Sequence, residues 1–331
     1  MRGCERYGLR RLVWESCARV PPIFDPSRVV SRPSTPVAEV QSRGGPDPLS
    51  HDPANKGILI PMDMDSPQHD LVKHVLDAGF PLKATSLIHL FVGGSQLHGA
   101  KVSGYDDLDV YGCYIEPPER ILGVLPLEHY VWSSGSATEK NTADDVDVTT
   151  YSLHRWGELI RKGNPAILHY LFAENSLSSS DTWERFIGSH REHLISKRAA
   201  MQYLGFAASQ RMRLTGERGM GRHGQRPDLI ERYGFDVKFA MHYIRLLGEC
   251  RELLREHKVT LPRPEKELLV AIRTGKYTQD QVFDLGDDLA HECQQLLEKS
   301  DLPDSVDVNA LSQQIADAYR SHWRLCASTD D

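Results

Sequence analysis

The stretch Asp106-Asp107-Leu108-Asp109-Val110-Tyr111-Gly112-Cys113-Tyr114-Ile115 decides how this chain is read. From Leu108 onward it has the apolar and β-branched character of a strand, and it carries Asp107 and Asp109 at i and i+2. Residues two apart on a strand point to the same side, so these two carboxylates can grip one or two divalent ions. Upstream, Leu90-Phe91-Val92 runs into Gly93-Gly94-Ser95-Gln96-Leu97-His98-Gly99. A glycine turn lets backbone amides approach an anion closely, and a helix beginning there points its positive end at the same anion. A phosphate cradle followed by paired metal carboxylates implies nucleotide chemistry.

In this order and spacing the chain resembles the DNA polymerase β-like nucleotidyltransferase superfamily. Gly94-Ser95 corresponds to that family's Gly-Ser element, Gly99 to a following Gly, and Asp107-x-Asp109 to its metal pair. A third acid flanked by apolar residues matches Val146-Asp147-Val148. The likeness is closer to a largely uncharacterised bacterial and phage branch. It extends through Tyr114-Ile115-Glu116-Pro117, Lys162-Gly163-Asn164-Pro165 with Leu168 and Leu171-Phe172, and Gly234-Phe235-Asp236-x-Lys238 with His242 and Arg245, so it covers roughly 60–325. The chain departs from the pattern at Asp106, where Ser is common. An extra acid there would shift neighbouring pKa values or compete for the ion.

The resemblance implies an α/β (α+β) nucleotidyltransferase domain with a short mixed sheet, followed by an all-helical domain. It implies Asp107, Asp109 and Asp147 as catalytic metal ligands for Mg²⁺, two ions in number, with Mn²⁺ an alternative. Gly94 and Ser95 would bind the β,γ-phosphates of a nucleoside triphosphate. The reaction implied is transfer of a nucleoside monophosphate to an acceptor hydroxyl, on an RNA end, a protein or a small molecule. A non-catalytic nucleotide-binding or antitoxin-like interaction protein on the same fold is the alternative.

Composition sets the outer bounds. The 331 residues are 40% hydrophobic and 26% charged, enough for two domains. A net charge of −7 argues against coating nucleic acid by bulk electrostatics. Six cysteines at 4, 17, 113, 250, 293 and 326 form no Cys-x-x-Cys pair. No apolar run approaches the roughly 20 residues of a membrane span, and a cytoplasmic location is the expectation; oligomeric state is not legible.

Residues 1–67 stand apart, with ten of the 19 prolines between Pro21 and Pro67. Such a segment buries too little apolar surface to offset its ordering entropy. It reads as disordered or as an upstream extension, with Met62 and Met64 alternative starts. Residues 68–183 read as the catalytic domain and 184–326 as the helical one. Asp145 to Tyr151 alternates as a half-buried strand, placing Asp147, or its rival Asp145, on one face. Further on, Phe239, Ala240, Tyr243, Leu246, Leu247, Cys250, Leu253 and Leu254 form an apolar helical stripe. Lys238, His242 and Arg245 follow i, i+4, i+7 on another face of that helix, so they are expected to reach the phosphates or the acceptor, or to form a structural network with Asp236. The basic stretch from Arg211 and Arg213 to Arg226 reads as a solvated loop, or as a further contact to triphosphate or RNA. Arg218 and His223 match a loose RNase spacing, and His98 reads as a packed helix residue.

Overall fold

The computed structural model describes residues 75–76, 79–102, 106–135, 145–174, 176–188, 190–216 and 225–327. The expectations for residues 1–67 and for the Arg218/His223 pair lie outside the described residues. Strand β1 (Leu87–Val92) is buried along nearly its whole length and sits inside a five-stranded mixed sheet of order β3-β4-β2-β1-β5. It runs antiparallel to β2 (Leu108–Tyr114) and to β5 (Ser176–Ser179). Strand β4 (Val146–Ser152) lies parallel to β2, and β3 (His129–Ser133) closes the edge antiparallel to β4.

Alternation along these strands sorts the side chains into two layers. On one face Leu87, Leu90, Val110, Tyr114, Val148 and Leu177 form a small cluster with Val75 and Phe80. On the other, Phe91, Cys113 and Tyr151 join the main core beneath the helices. A short helix α1 (Gly94–Leu97) follows β1, and α2 (Pro118–Ile121) follows β2. Helix α3 (Leu153–Arg161) starts where the Ser152 hydroxyl accepts from Arg155 N, at 3.1 Å, and α4 (Pro165–Phe172) where Asn164 accepts from Ala166 N, at 2.9 Å. Both are side-chain caps of the usual kind.

After α5 (Asp181–Gly188) the chain is helical: α6 (Lys197–Leu214), α7 (Pro227–Tyr233), α8 (Val237–Glu256), α9 (Lys266–Arg273), α10 (Gln279–Lys299) and α11 (Val308–Ala327). The expected apolar stripe is buried, and α8 packs along α6 and α10. Helix α11 returns to the sheet region, where Trp323 Nε1 donates to Glu116 O at 2.9 Å and the Tyr319 hydroxyl donates to the Glu116 carboxylate. No helix among the described residues is long and apolar enough to cross a membrane.

His89 is a buried polar residue of β1. It stacks on Trp183, ring centroids 4.6 Å apart and 9° from parallel, and burial lowers its pKa to about 3. An unfolded histidine titrates near 6.5. Between those values the unfolded chain binds a proton that native His89 refuses, so stability should fall by about 1.4 kcal/mol per pH unit as the pH drops below 6.5. Denaturant midpoints at pH 7, 6 and 5 should therefore fall less steeply in His89→Phe than in the parent. Equal acid sensitivity in both would contradict this.

Candidate active site

The site is a cleft of about 320 Å³ between the end of β1, the start of β2 and helix α8. Its floor is set by strand pairing. Asp109 of β2 is the direct register partner of Asp147 of β4. Asp107, one residue before β2, lines the cleft with Asp109, while Asp147, beside Asp109 in register on β4, is not among the lining residues. The rival Asp145 accepts instead from Ser134 Oγ at 3.1 Å, in an exposed position.

The glycine turn lies directly on this floor. Gly93 N donates to Asp109 O at 2.9 Å. Gly94 has φ +55, and a Cβ there would stand 1.7 Å from Asp109 Oδ2. At Gly93 a Cβ would meet the Tyr111 ring at 1.9 Å. Both glycines are thus demanded by close approach, and at Gly94 by the left-handed backbone as well. Ser95, the next residue, lines the cleft.

Burial raises the Asp109 carboxyl to a pKa of about 7, with Asp107 and then Asp147 adding like-charge repulsion and Lys238 opposing it. A set of hard oxygen donors that repel one another when no cation lies between them fits Mg²⁺ or Mn²⁺. Among the described residues, the group whose donor atoms all come within 4.8 Å of one another is a different one, His98, His169 and Glu249, a set that could hold a metal ion.

Asp106 lines the same cleft and adds, after Asp107 and Asp147, to the repulsion that raises the Asp109 pKa, but its own carboxylate is engaged elsewhere. Both Nη atoms of Arg273, on α9, donate to its two carboxylate oxygens at 2.7 Å, and Val102 N donates at 2.8 Å. These bonds hold the Asp106 carboxyl below its usual range despite its burial. Arg273 also donates to Ala100 O at 2.9 Å, tying α9 to the segment that carries the turn. Sequence reading missed Arg273, because nothing in the local pattern of α9 announces a partner on the other half of the chain.

Lys238, His242 and Arg245 all line the opposite wall. Asp236 does not divert Lys238. Its carboxylate caps α8 by accepting from Lys238 N and Phe239 N, and it pairs with Arg226 at 3.1 Å. Burial first, then Arg226 and Arg273, lowers the Lys238 pKa, while Asp106 and Asp107 oppose that shift. His242 is held neutral, its pKa pushed down by burial and then by Arg245.

Arg211 and Arg213 belong to helix α6 rather than to a loop. Arg211 is bound to Asp287, Nε to Oδ1 at 3.0 Å, and Arg213 lies 5.4 Å over the Phe239 ring. His98 is buried as expected, yet it also lines the cleft.

The chain matches, over residues 68–311, the family model RlaP, described as "RNA repair pathway DNA polymerase beta family". Comparison with curated proteins gives no match. Among solved structures, the chain is similar to a nucleotidyltransferase-like protein from Exiguobacterium sibiricum 255-15, at 11% identity and a TM-score of 0.25, covering 77% of each chain.

Proposed function

Because the chain belongs to the RNA repair pathway DNA polymerase beta family, we propose that it is a metal-dependent nucleotidyltransferase acting from this cleft. The reaction moves a nucleoside monophosphate from a nucleoside triphosphate to an acceptor hydroxyl, with pyrophosphate leaving. The observation that carries this reading is the pairing of Asp109 with Asp147 across β2 and β4, on the parity of Asp107 and under the Gly94 turn. A protein that only bound nucleotide would not need the third carboxylate held in register.

In this reading Asp107, Asp109 and Asp147 hold Mg²⁺, which when bound supplies charge stabilisation for the phosphoryl oxygens and lowers the pKa of the acceptor hydroxyl. The chain's own residues do the rest by positioning and electrostatics. Gly94 and Ser95 present backbone amides and a hydroxyl to the β,γ-phosphates. Lys238 and Arg245 set positive charge opposite the acidic floor, and neutral His242 between them offers a hydrogen bond. The helical region, 184–326, thus supplies one wall of a site whose floor lies in 68–183. The family description favours an RNA end as acceptor.

Incubation with each α-labelled nucleoside triphosphate, Mg²⁺ and RNAs of defined ends tests the proposal, with label expected on the RNA. Tight triphosphate binding without label on any acceptor would support the non-catalytic alternative instead.

Lys238→Ala isolates the phosphate wall. Its ammonium is largely desolvated and Asp236 is engaged elsewhere, so the loss should fall on ligand binding. Triphosphate affinity is expected to weaken by about 1–3 kcal/mol, as for a charge-assisted contact, with little change in melting temperature. Calorimetric titration and thermal melts on one preparation check this. Normal binding with lowered stability would return Lys238 to a structural role.

A further inference from the structure

Behind the cleft wall, Arg245 belongs to a polar cluster built on a buried carboxylate. Glu249, one turn beyond Arg245 on α8, is completely buried. Arg245 Nη1 donates to its Oε1 at 2.7 Å, and His169 Nε2, from α4, is 3.1 Å from its Oε2. His98, just after α1, places Nδ1 3.4 Å from Oε1. Its other nitrogen, Nε2, lies 3.1 Å from Arg245 Nη1.

The protonation pattern follows from chemistry. An arginine in a protein has no acceptor and stays charged, so His98 Nε2 accepts from Arg245. His98 is then neutral, with its proton on Nδ1, which lies near Glu249 without hydrogen-bonding to it, and burial likewise disfavours its cationic form. Glu249 therefore remains an anion, held well below the usual carboxylate range against its burial by Arg245 first and then His169. The cluster is one cation, one anion and histidines from two other elements.

The same three donors, His98, His169 and Glu249, would suit zinc by type. Here the guanidinium occupies the cation's part, because Nη1 already lies against two of the three donor residues. Meanwhile Arg245 lines the cleft, and its Nε is buried without a hydrogen-bond partner. An arginine anchored by one Nη beneath a cleft that it lines is arranged for an anion.

We propose that Glu249 is a positioning residue that, with His98 and His169, fixes Arg245 so that its guanidinium meets a phosphate oxygen of the triphosphate. The inference rests on the nucleotide-binding reading of the cleft but not on transfer taking place. Removing the buried carboxylate frees the guanidinium to turn away, and the binding energy it contributed is spent on ordering it again.

The test measures affinity for inorganic triphosphate and for a nucleoside triphosphate with a non-hydrolysable α,β-bridge, in the full chain, without turnover. Arg245→Gln and Glu249→Gln should each raise the dissociation constant about tenfold. The double variant should be no weaker than Arg245→Gln alone, because Glu249 acts through Arg245. His169→Gln, whose amide can still donate to Glu249, should bind more tightly than His169→Leu. That pair carries the test if Glu249→Gln fails to fold. Additive losses in the double variant, or equal binding by the two His169 variants, would overturn the proposal. So would one equivalent of zinc retained by the parent and lost on replacing His98 and His169 by Ala. Parent-like binding by Arg245→Gln would remove the anion subsite itself. Tight binding with the expected pattern but no label transfer would leave this inference standing and the transferase reading refuted.

Discussion

Asp109→Asn is expected to lower nucleotidyl transfer by at least about 10³-fold, the scale on which loss of an electrostatic group acting in concert with others is felt. The same change should raise the melting temperature of the metal-free protein. Asp109 is pressed by burial, by Asp107 and by Asp147, and Asn keeps its shape while removing the charge. Mg²⁺ should raise the melting temperature of the parent and leave the variant nearly unmoved. Asp107→Asn should match the loss of transfer with a smaller gain in metal-free stability. Transfer at the parental rate in either variant would sink the metal assignment.

Gly94→Ala is expected to cost at least about 10²-fold in transfer, the penalty for misplacing reacting groups by roughly 1 Å. The added methyl would fall 1.7 Å from Asp109 Oδ2, so either the carboxylate or the turn must move. A non-glycine residue in the left-handed region adds a strain of about 1–2 kcal/mol. Gly216→Ala separates the two effects, since Gly216 has φ +73 but nothing within 4 Å of its built Cβ. That control should lose a similar amount of stability and keep its transfer rate. Equal activities for the two variants would show that the turn does not support Asp109.

Much of this arrangement is legible in the sequence, and the limits have physical causes. Strand β1, the turn and β2 could be read because an unbroken apolar run, close-packed glycines and an i, i+2 pair all express one local geometry. Helices α3, α4 and α10 begin at the side-chain caps Ser152, Asn164 and Thr278, the last with its capping box to Gln281 formed. Strands β3 and β5 were not read. β3 is a solvent-facing edge, and β5 is Ser-Leu-Ser-Ser with a single apolar residue. The face of Lys238, His242 and Arg245 followed from helical spacing, but its aim at the cleft is a tertiary fact. Glu249 left one faint signal, an acid set between Leu247 and Cys250 in an otherwise apolar stripe. Its partners His98 and His169 are 151 and 80 positions away, where no local pattern reaches.

Asp106 and Arg273, 167 positions apart, also bear on how such chains can diverge. An aspartate beside a cluster of acids is tolerable only with its guanidinium, and a buried arginine there is tolerable only with its carboxylate. Neither can drift alone. In relatives of this chain the two should be gained or lost together, Ser returning at 106 wherever Arg is missing from the equivalent of 273. Recombination that exchanged the helical half for one of foreign descent would have to carry both positions to survive.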